Sequence, residues 1–247
     1  VITFSVVLTI ILGLLLSGTS EVLKPIQQKA EALDTKKQIL GAVIPVEEIA
    51  AMKPEEIEVY YESRISSKVV NFEGGEVTEK DGVPVTAESV DVGKNFKKVP
   101  EDRLYPVFIF HEEGNPTDAI SYIFPVYGNG LWDNIWGFLA LQTDVNTIEG
   151  VTFSHAAETP GLGARITSRD VQNRFEGKEI FDDSGNLVSV AMQKGEGRDY
   201  DGDEHKVDGL SGATITAVGV NNMLKNYLES YKSYIDKIKE GNKIALN

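Results

Sequence analysis

Residues 208–214 read Asp-Gly-Leu-Ser-Gly-Ala-Thr and end where a long amphipathic pattern begins. The hydroxyl of Thr214 thus falls at a helix start, where unpaired N–H groups and the positive dipole end favour a phosphate. Ser211, Gly212 and Ala213 form a small approach to it, and Gly212 can adopt positive φ. Asp208 would repel a phosphate, so it is expected to cap the turn or to hold a metal for a modifying enzyme. The chemistry open to such a segment is esterification of a hydroxyl by a phosphoryl group. An ordinary loop with Ser211 or Thr214 as N-cap has the same composition.

A second stretch, residues 155–165, reads His-Ala-Ala-Glu-Thr-Pro-Gly-Leu-Gly-Ala-Arg. Thr159-Pro160-Gly161 suits a type II turn, with Pro at its second position and Gly at its third. Gly161 and Gly163 let the backbone approach a flat group, and Leu162 can lie against it. Glu158 and Thr159 offer hydrogen bonds to such a group or to the turn itself. Upstream, Gly128-Asn129-Gly130-Leu131-Trp132 is another small-residue turn with large apolar side chains at its end. Leu131 and Trp132 are contact candidates, although a Trp after a turn more often belongs to the core.

Taken in order, Y-G-x-G-L-W, E-T-P-G-L-G-A and D-x-x-S-G-A-T resemble the motifs of FMN-binding subunits of membrane redox complexes. The chain is most similar to the C subunits of sodium-translocating NADH:quinone oxidoreductases, from about residue 4 to about residue 235. The resemblance implies FMN joined through its phosphate to Thr214 by a flavin transferase. Ser211, Gly212, Ala213, Asp208, Glu158, Thr159, Gly161, Leu162, Gly163, Leu131 and Trp132 would surround it. It implies an electron carrier within a multi-subunit complex that oxidises NADH, reduces a quinone and exports sodium. The domain would stand on the periplasmic or outer side of a bacterial inner membrane. The G subunit of the related Rnf ferredoxin:NAD oxidoreductase shares the motifs; the long segment at 43–127 favours the sodium-pump subunit. A flavin-free, membrane-tethered binding domain is the alternative from another class.

Composition limits the other possibilities. The chain has 247 residues with a net charge of −14, which argues against nucleic acid as a partner. It has no cysteine, so disulfides, thiolate-held clusters and cysteine nucleophiles are excluded. Its three histidines are far apart, and no metal site is expected. Gly128-x-Gly130 lacks the third glycine of a dinucleotide fingerprint, and no P-loop is present. Residues 199–205 are acidic but have the wrong Gly position for a calcium loop. Arg165 and Lys178 are candidates for neutralising a phosphate, or else surface ion pairs. Thr216 is the residue most easily mistaken for Thr214.

Several elements must position these residues. Residues 1–20 carry no charge, and about 20 helical residues span the roughly 30 Å of a hydrocarbon core. Residues 1–22 are therefore expected to form one transmembrane anchor; Ser17-Gly18-Thr19-Ser20 is a poor signal-peptide cleavage site. Residues 23–100 read as a membrane-proximal helical and loop segment. Helical spacing continues to Ala42, with Pro25 at an early turn or kink, and two short helices follow within 46–64. Residues 69–72 and 76–78 flank Gly74-Gly75 as a hairpin. Residues 101–247 read as the FMN-binding domain. Strands are expected at 105–110, 121–127, 136–141, 148–154 and 187–193, and a short helix capped by Ser168 ends near Phe175. A closing helix carries Leu224, Tyr227, Leu228, Tyr231, Ile235 and Ile238 on one face. The expected fold is α+β, with a largely antiparallel sheet and flanking helices after an N-terminal transmembrane helix.

Overall fold

The computed structural model describes residues 2–245; Val1, at the start of the expected anchor, and residues 246–247 lie outside the described residues. Helix α1, Ile2–Gly41, is one continuous element that joins the apolar stretch to the amphipathic one. Among the described residues it is the one helix long and apolar enough to cross a membrane, with a mean hydropathy of 2.2 over its best window. It runs through Pro25, which costs one backbone hydrogen bond. Only its last turn is buried, through Ile39, Leu40 and Gly41. Helices α2, Val46–Ala51, and α3, Pro54–Arg64, follow. Pro54 opens α3 at a position where no N–H is needed.

Strand β1 is Ile65–Val70; the two-residue strands β2, Glu79–Lys80, and β3, Val83–Pro84, make a small hairpin. After α4, Val92–Phe96, come β4, Tyr105–Glu112; β5, Asn115–Asn129; β6, Asn134–Gln142; and β7, Ile148–His155. Five strands pair antiparallel in the order β1-β4-β5-β6-β7, with registers such as Ile65 to Phe110 and Tyr122 to Leu141. The strand expected at 69–72 thus begins earlier and ends at Val70, and residue 76 makes only an isolated bridge to it.

Both faces of the sheet are covered. Val107, Ile109, Phe124, Val126, Leu139 and Leu141 point to one core; Phe108, Phe110, Ile123, Phe138 and Ala140 point to the other. This is the period of two seen in strands, and here the alternate set is apolar as well. The second core is closed by the end of α1 with α2 and α3. The first is closed by α6, Thr214–Ala245, whose Leu224, Tyr227, Leu228, Tyr231 and Ile235 are all buried. Ile238 packs against the same core. Tyr231 is held edge-on to Tyr105, with centroids 5.2 Å apart, and donates to the Pro106 carbonyl at 2.7 Å.

Between β7 and α6 the chain is mostly turn. A 3-10 stretch, Gly163–Thr167, precedes α5, Arg169–Gln172, and another ends at Phe175. Ser168 sits at the N-cap of α5, but its hydroxyl donates back to Arg165 O at 2.7 Å. The strand expected at 187–193 shrinks to β8, Ala191–Met192, which pairs parallel with β9, Lys206–Val207. Ser189 has φ +64, so extended pairing cannot run through it. The amide side chain of Asn221 satisfies both Met192 backbone groups, at 2.8 and 2.9 Å, in place of a longer strand partner.

Candidate functional site

The three motif stretches converge at the N-terminal end of α6. Thr159-Pro160-Gly161-Leu162 closes a turn with Leu162 N–H donating to Thr159 O at 3.1 Å, and Gly161 has φ +75. This is the type II geometry that its sequence implies. Leu162 lies over the backbone of Gly212, so that a Cβ there would stand 3.0 Å from Leu162 Cδ2. Gly212 itself has φ +74, which lets the chain turn into the helix. The 128–132 turn packs against α6, because a Cβ at Gly219 would collide with the carbonyl of Asn129.

Glu158 ties these pieces together. The residue is only 4% exposed. One carboxylate oxygen accepts the Leu131 and Trp132 N–H groups at 2.7 and 3.1 Å, and the other accepts the Thr216 hydroxyl at 2.6 Å. Three donors compensate a buried carboxylate that has no ion-pair partner among the described residues. Two of the turns are further joined by Trp132 Nε1, which donates to Thr159 Oγ1 at 3.1 Å. His155 accepts the Glu158 N–H through Nδ1 at 3.2 Å, so it supports the same turn.

The two threonines of α6 are placed in opposite ways. Thr216 is 1% exposed and its hydroxyl is committed to Glu158. Thr214 is exposed, and its hydroxyl makes no hydrogen bond among the described residues. The first backbone bond of the helix is Ala217 N–H to Ala213 O, at 3.0 Å. The N–H groups of Thr214, Ile215 and Thr216 make no backbone hydrogen bond among the described residues, as expected of the first donors of a helix. Around this end stand exposed apolar side chains: Trp132 (68% exposed), Leu131, Leu162, Ile215 and Val218. A free hydroxyl, unpaired donors and exposed flat apolar surface suit a phosphate-tethered aromatic ring.

The remaining expected residues are placed elsewhere. Asp208 does not cap its own turn: its carboxylate accepts the Gly197 and Arg198 N–H groups at 2.7 and 3.2 Å. Arg165 is not free for a phosphate, since both its terminal nitrogens grip Glu196 at 2.8 and 2.6 Å. Lys178 is buried, and its ammonium donates to the carbonyls of Tyr200 and Asp203 at 2.6 and 2.8 Å. It thereby holds the acidic 199–205 loop from inside. Sequence reasoning passed over Glu196 and Arg174. Glu196 meets the Ser211 N–H 15 residues on and Arg174 the Gly209 carbonyl 35 residues on, distances that no motif marks; only the Asp170–Arg174 pair has helical spacing.

A family model described as an FMN-binding domain matches residues 130–229, which include Trp132, the 158–163 turn and Thr214. The C subunit of the Na(+)-translocating NADH-quinone reductase of Haemophilus ducreyi is 32% identical over 250 residues, covering 96% of this chain and 93% of that protein. Its counterpart in Yersinia pestis is 30% identical and covers 96% of this chain and 91% of that protein. The crystal structure of the counterpart from Parabacteroides distasonis superposes with a TM-score of 0.70 at 37% identity, covering 86% of this chain and 96% of that one.

Proposed function

The chain belongs to the family of the Na(+)-translocating NADH-quinone reductase C subunits, and from that premise we propose that it carries electrons through an FMN esterified by its phosphate to Thr214. The observation that supports this most is the contrast between the exposed, unpaired Thr214 hydroxyl and the buried, committed Thr216. Bound FMN supplies the redox chemistry. The chain's own residues provide the tether, the wall and the exclusion of water on one side. Thr214 holds the phosphate at the head of α6, where first-turn N–H groups and the helix dipole offset its charge. Leu131, Trp132 and Leu162 supply apolar surface for a ring. Glu158 keeps the two turns that carry them at a fixed distance from the helix.

Attachment requires an activated donor, because condensing free FMN with a hydroxyl would release water and run uphill. A flavin phosphoanhydride such as FAD meets that need. Thr214 Oγ bonds to the flavin-bearing phosphorus, the anhydride P–O bond breaks, AMP leaves, and the hydroxyl proton passes to a base of a flavin transferase. In the assembled state α1 spans the membrane, residues 101–247 form the flavin domain on the periplasmic or outer side, and neighbouring redox subunits donate and accept electrons. The complex would couple NADH oxidation and quinone reduction to sodium export; the relatives' name supports the NADH-quinone reductase and sodium-translocating parts of that reading.

The test is an intact mass of the chain taken from its native membrane, with fragmentation to locate the adduct. The expected result is one added FMN, less water, on the peptide that contains Thr214. A native chain without that increment, or with it on Thr216, overturns the proposal.

A further inference from the structure

Glu196 belongs to none of the motifs, yet it sits beside the segment that leads to Thr214. Its carboxylate receives Arg165 in a two-point grip at 2.8 and 2.6 Å and Arg174 Nη2 at 3.1 Å. The same carboxylate accepts the N–H of Ser211 at 3.2 Å. Arg174 uses its other nitrogen on the carbonyls of Gly209 and Asp208, at 2.7 and 3.3 Å. Asp208 in turn holds the N–H groups of Gly197 and Arg198. The 195–198 and 208–211 segments are therefore stitched to each other by N–H, carbonyl and side-chain bonds together. The side chains of Arg174 and Glu196 are largely shielded, at 16% and 22% exposure, so water and salt weaken this network less than a surface pair. Planar guanidinium forks also fix direction, which a lysine would not.

Leu210 and Ala213 anchor the stitched segment in the main core, and the residues between and beside them depend on the network. Gly209, Ser211 and Gly212 lack bulky side chains, and residues 208–213 form no regular element. A loop of this composition samples many conformations unless it is fastened. An enzyme that must bring the Thr214 hydroxyl to a phosphorus atom binds only the competent fraction of them. Its apparent affinity for the acceptor falls in proportion to that fraction.

We propose that Glu196, Arg165 and Arg174 are positioning residues for flavin attachment, holding residues 208–211 so that Thr214 is presented to the flavin transferase in one geometry. The inference rests on Thr214 being the acceptor. None of the three residues touches the reacting atoms, so their effect is on the acceptor's Michaelis constant and not on the chemical step.

The experiment uses the full chain in detergent micelles, purified flavin transferase and FAD. Initial rates are read from flavin fluorescence of the denatured band as the acceptor concentration is varied. Glu196→Ala is expected to raise KM for the acceptor about tenfold or more, with kcat held within about twofold. Glu196→Gln, whose amide oxygen still accepts the Ser211 N–H, is expected to fall between it and the wild type. A Glu196→Ala chain with wild-type kcat/KM and an unchanged thermal melt overturns the proposal, and so does a loss confined to kcat. If Glu196→Ala does not fold, Arg165→Met at the rim of the network decides by the same criteria. A wild-type chain that takes up no flavin, or takes it up equally as Thr214→Ala, instead overturns the acceptor reading beneath.

Discussion

Two residues apart, on opposite sides of α6, Thr214 presents an exposed hydroxyl and Thr216 one committed to Glu158. Thr214→Ala is expected to abolish covalent flavin, seen as loss of fluorescence from the denatured band. Thr216→Val keeps the shape of the side chain and leaves Glu158 one donor short in a buried place. It is expected to retain covalent flavin and to lose about 1–3 kcal/mol of stability in urea unfolding. Thr216 labelled in place of Thr214 would sink this assignment. The motif register in the sequence already distinguished these threonines. The reason for the distinction was not legible there, because Glu158 lies 58 residues away. Glu196 makes a pH prediction at the same scale. Its carboxyl is lowered to about 2 from an ordinary 4.5, chiefly by the Arg165 hydrogen bond and also by those from Ser211 N–H and Arg174. A carboxylate whose folded value is depressed stabilises the fold above its unfolded value, and that contribution drains away as pH falls through the folded one. The window is therefore about 4.5 down to about 2. Urea midpoints at pH 5 and pH 3 are expected to fall further in the wild type than in Glu196→Gln; equal falls would mean that the network carries no linked stability.

Turns matter more than regular elements in building the site, and the sequence announced the two kinds unevenly. Thr159-Pro160-Gly161 dictated its own geometry, and the positive φ of Gly161 follows from that turn type. The α6 stripe was equally plain, since its apolar positions recur at helical spacing and all face one core. By contrast, the run at 187–193 has strand composition but forms only Ala191–Met192. Its fate was set by tertiary partners: Val188 and Ser189 both donate to Ile180 O, at 2.9 and 3.0 Å, and Asn221 takes the Met192 backbone. Similarly, β5 runs from Asn115 to Asn129, through the pairing that β4 and β6 offer it on either side. Composition cannot reveal such neighbours. The 158–163 turn supports a prediction at this scale. Leu162→Asn is expected to leave covalent flavin at normal stoichiometry while changing its absorption band shape and its midpoint potential, because a polar wall raises the local dielectric. Gly161→Val should disturb both more strongly, since a β-branched residue resists positive φ. Redox titration at the flavin band checks both; unchanged potentials with flavin retained would make this turn purely structural.

At the scale of the whole molecule, the anchor and the folded domain share one helix, so the domain does not hang on a flexible linker. Helix α1 has 40 residues, a length of about 60 Å, of which a bilayer core accounts for about 30 Å. The rest is a stalk whose far end is fastened to the domain. Ile39 and Leu40 are buried there, Thr152 donates to Gln38 O at 3.0 Å, and Arg169 donates to Gly41 O at 3.1 Å. These bonds satisfy carbonyls that a helix end would otherwise leave unpaired, and the Arg169 charge suits the negative end of the dipole. Cutting the chain after residue 22 removes the apolar half without touching any of these contacts. The two cores that cover the sheet draw nothing from residues 2–22, so the domain should keep its thermal melt. A net charge of −14 in the whole chain, with no charged group before Glu21, leaves the truncated form strongly acidic and soluble. Membrane fractionation after a high-salt wash is expected to place it entirely in the supernatant. It should also fail to assemble with the partner subunits in the bilayer, since its own span is gone. A truncated chain that stays with the washed membrane would mean that a second surface, beyond α1, holds this protein there.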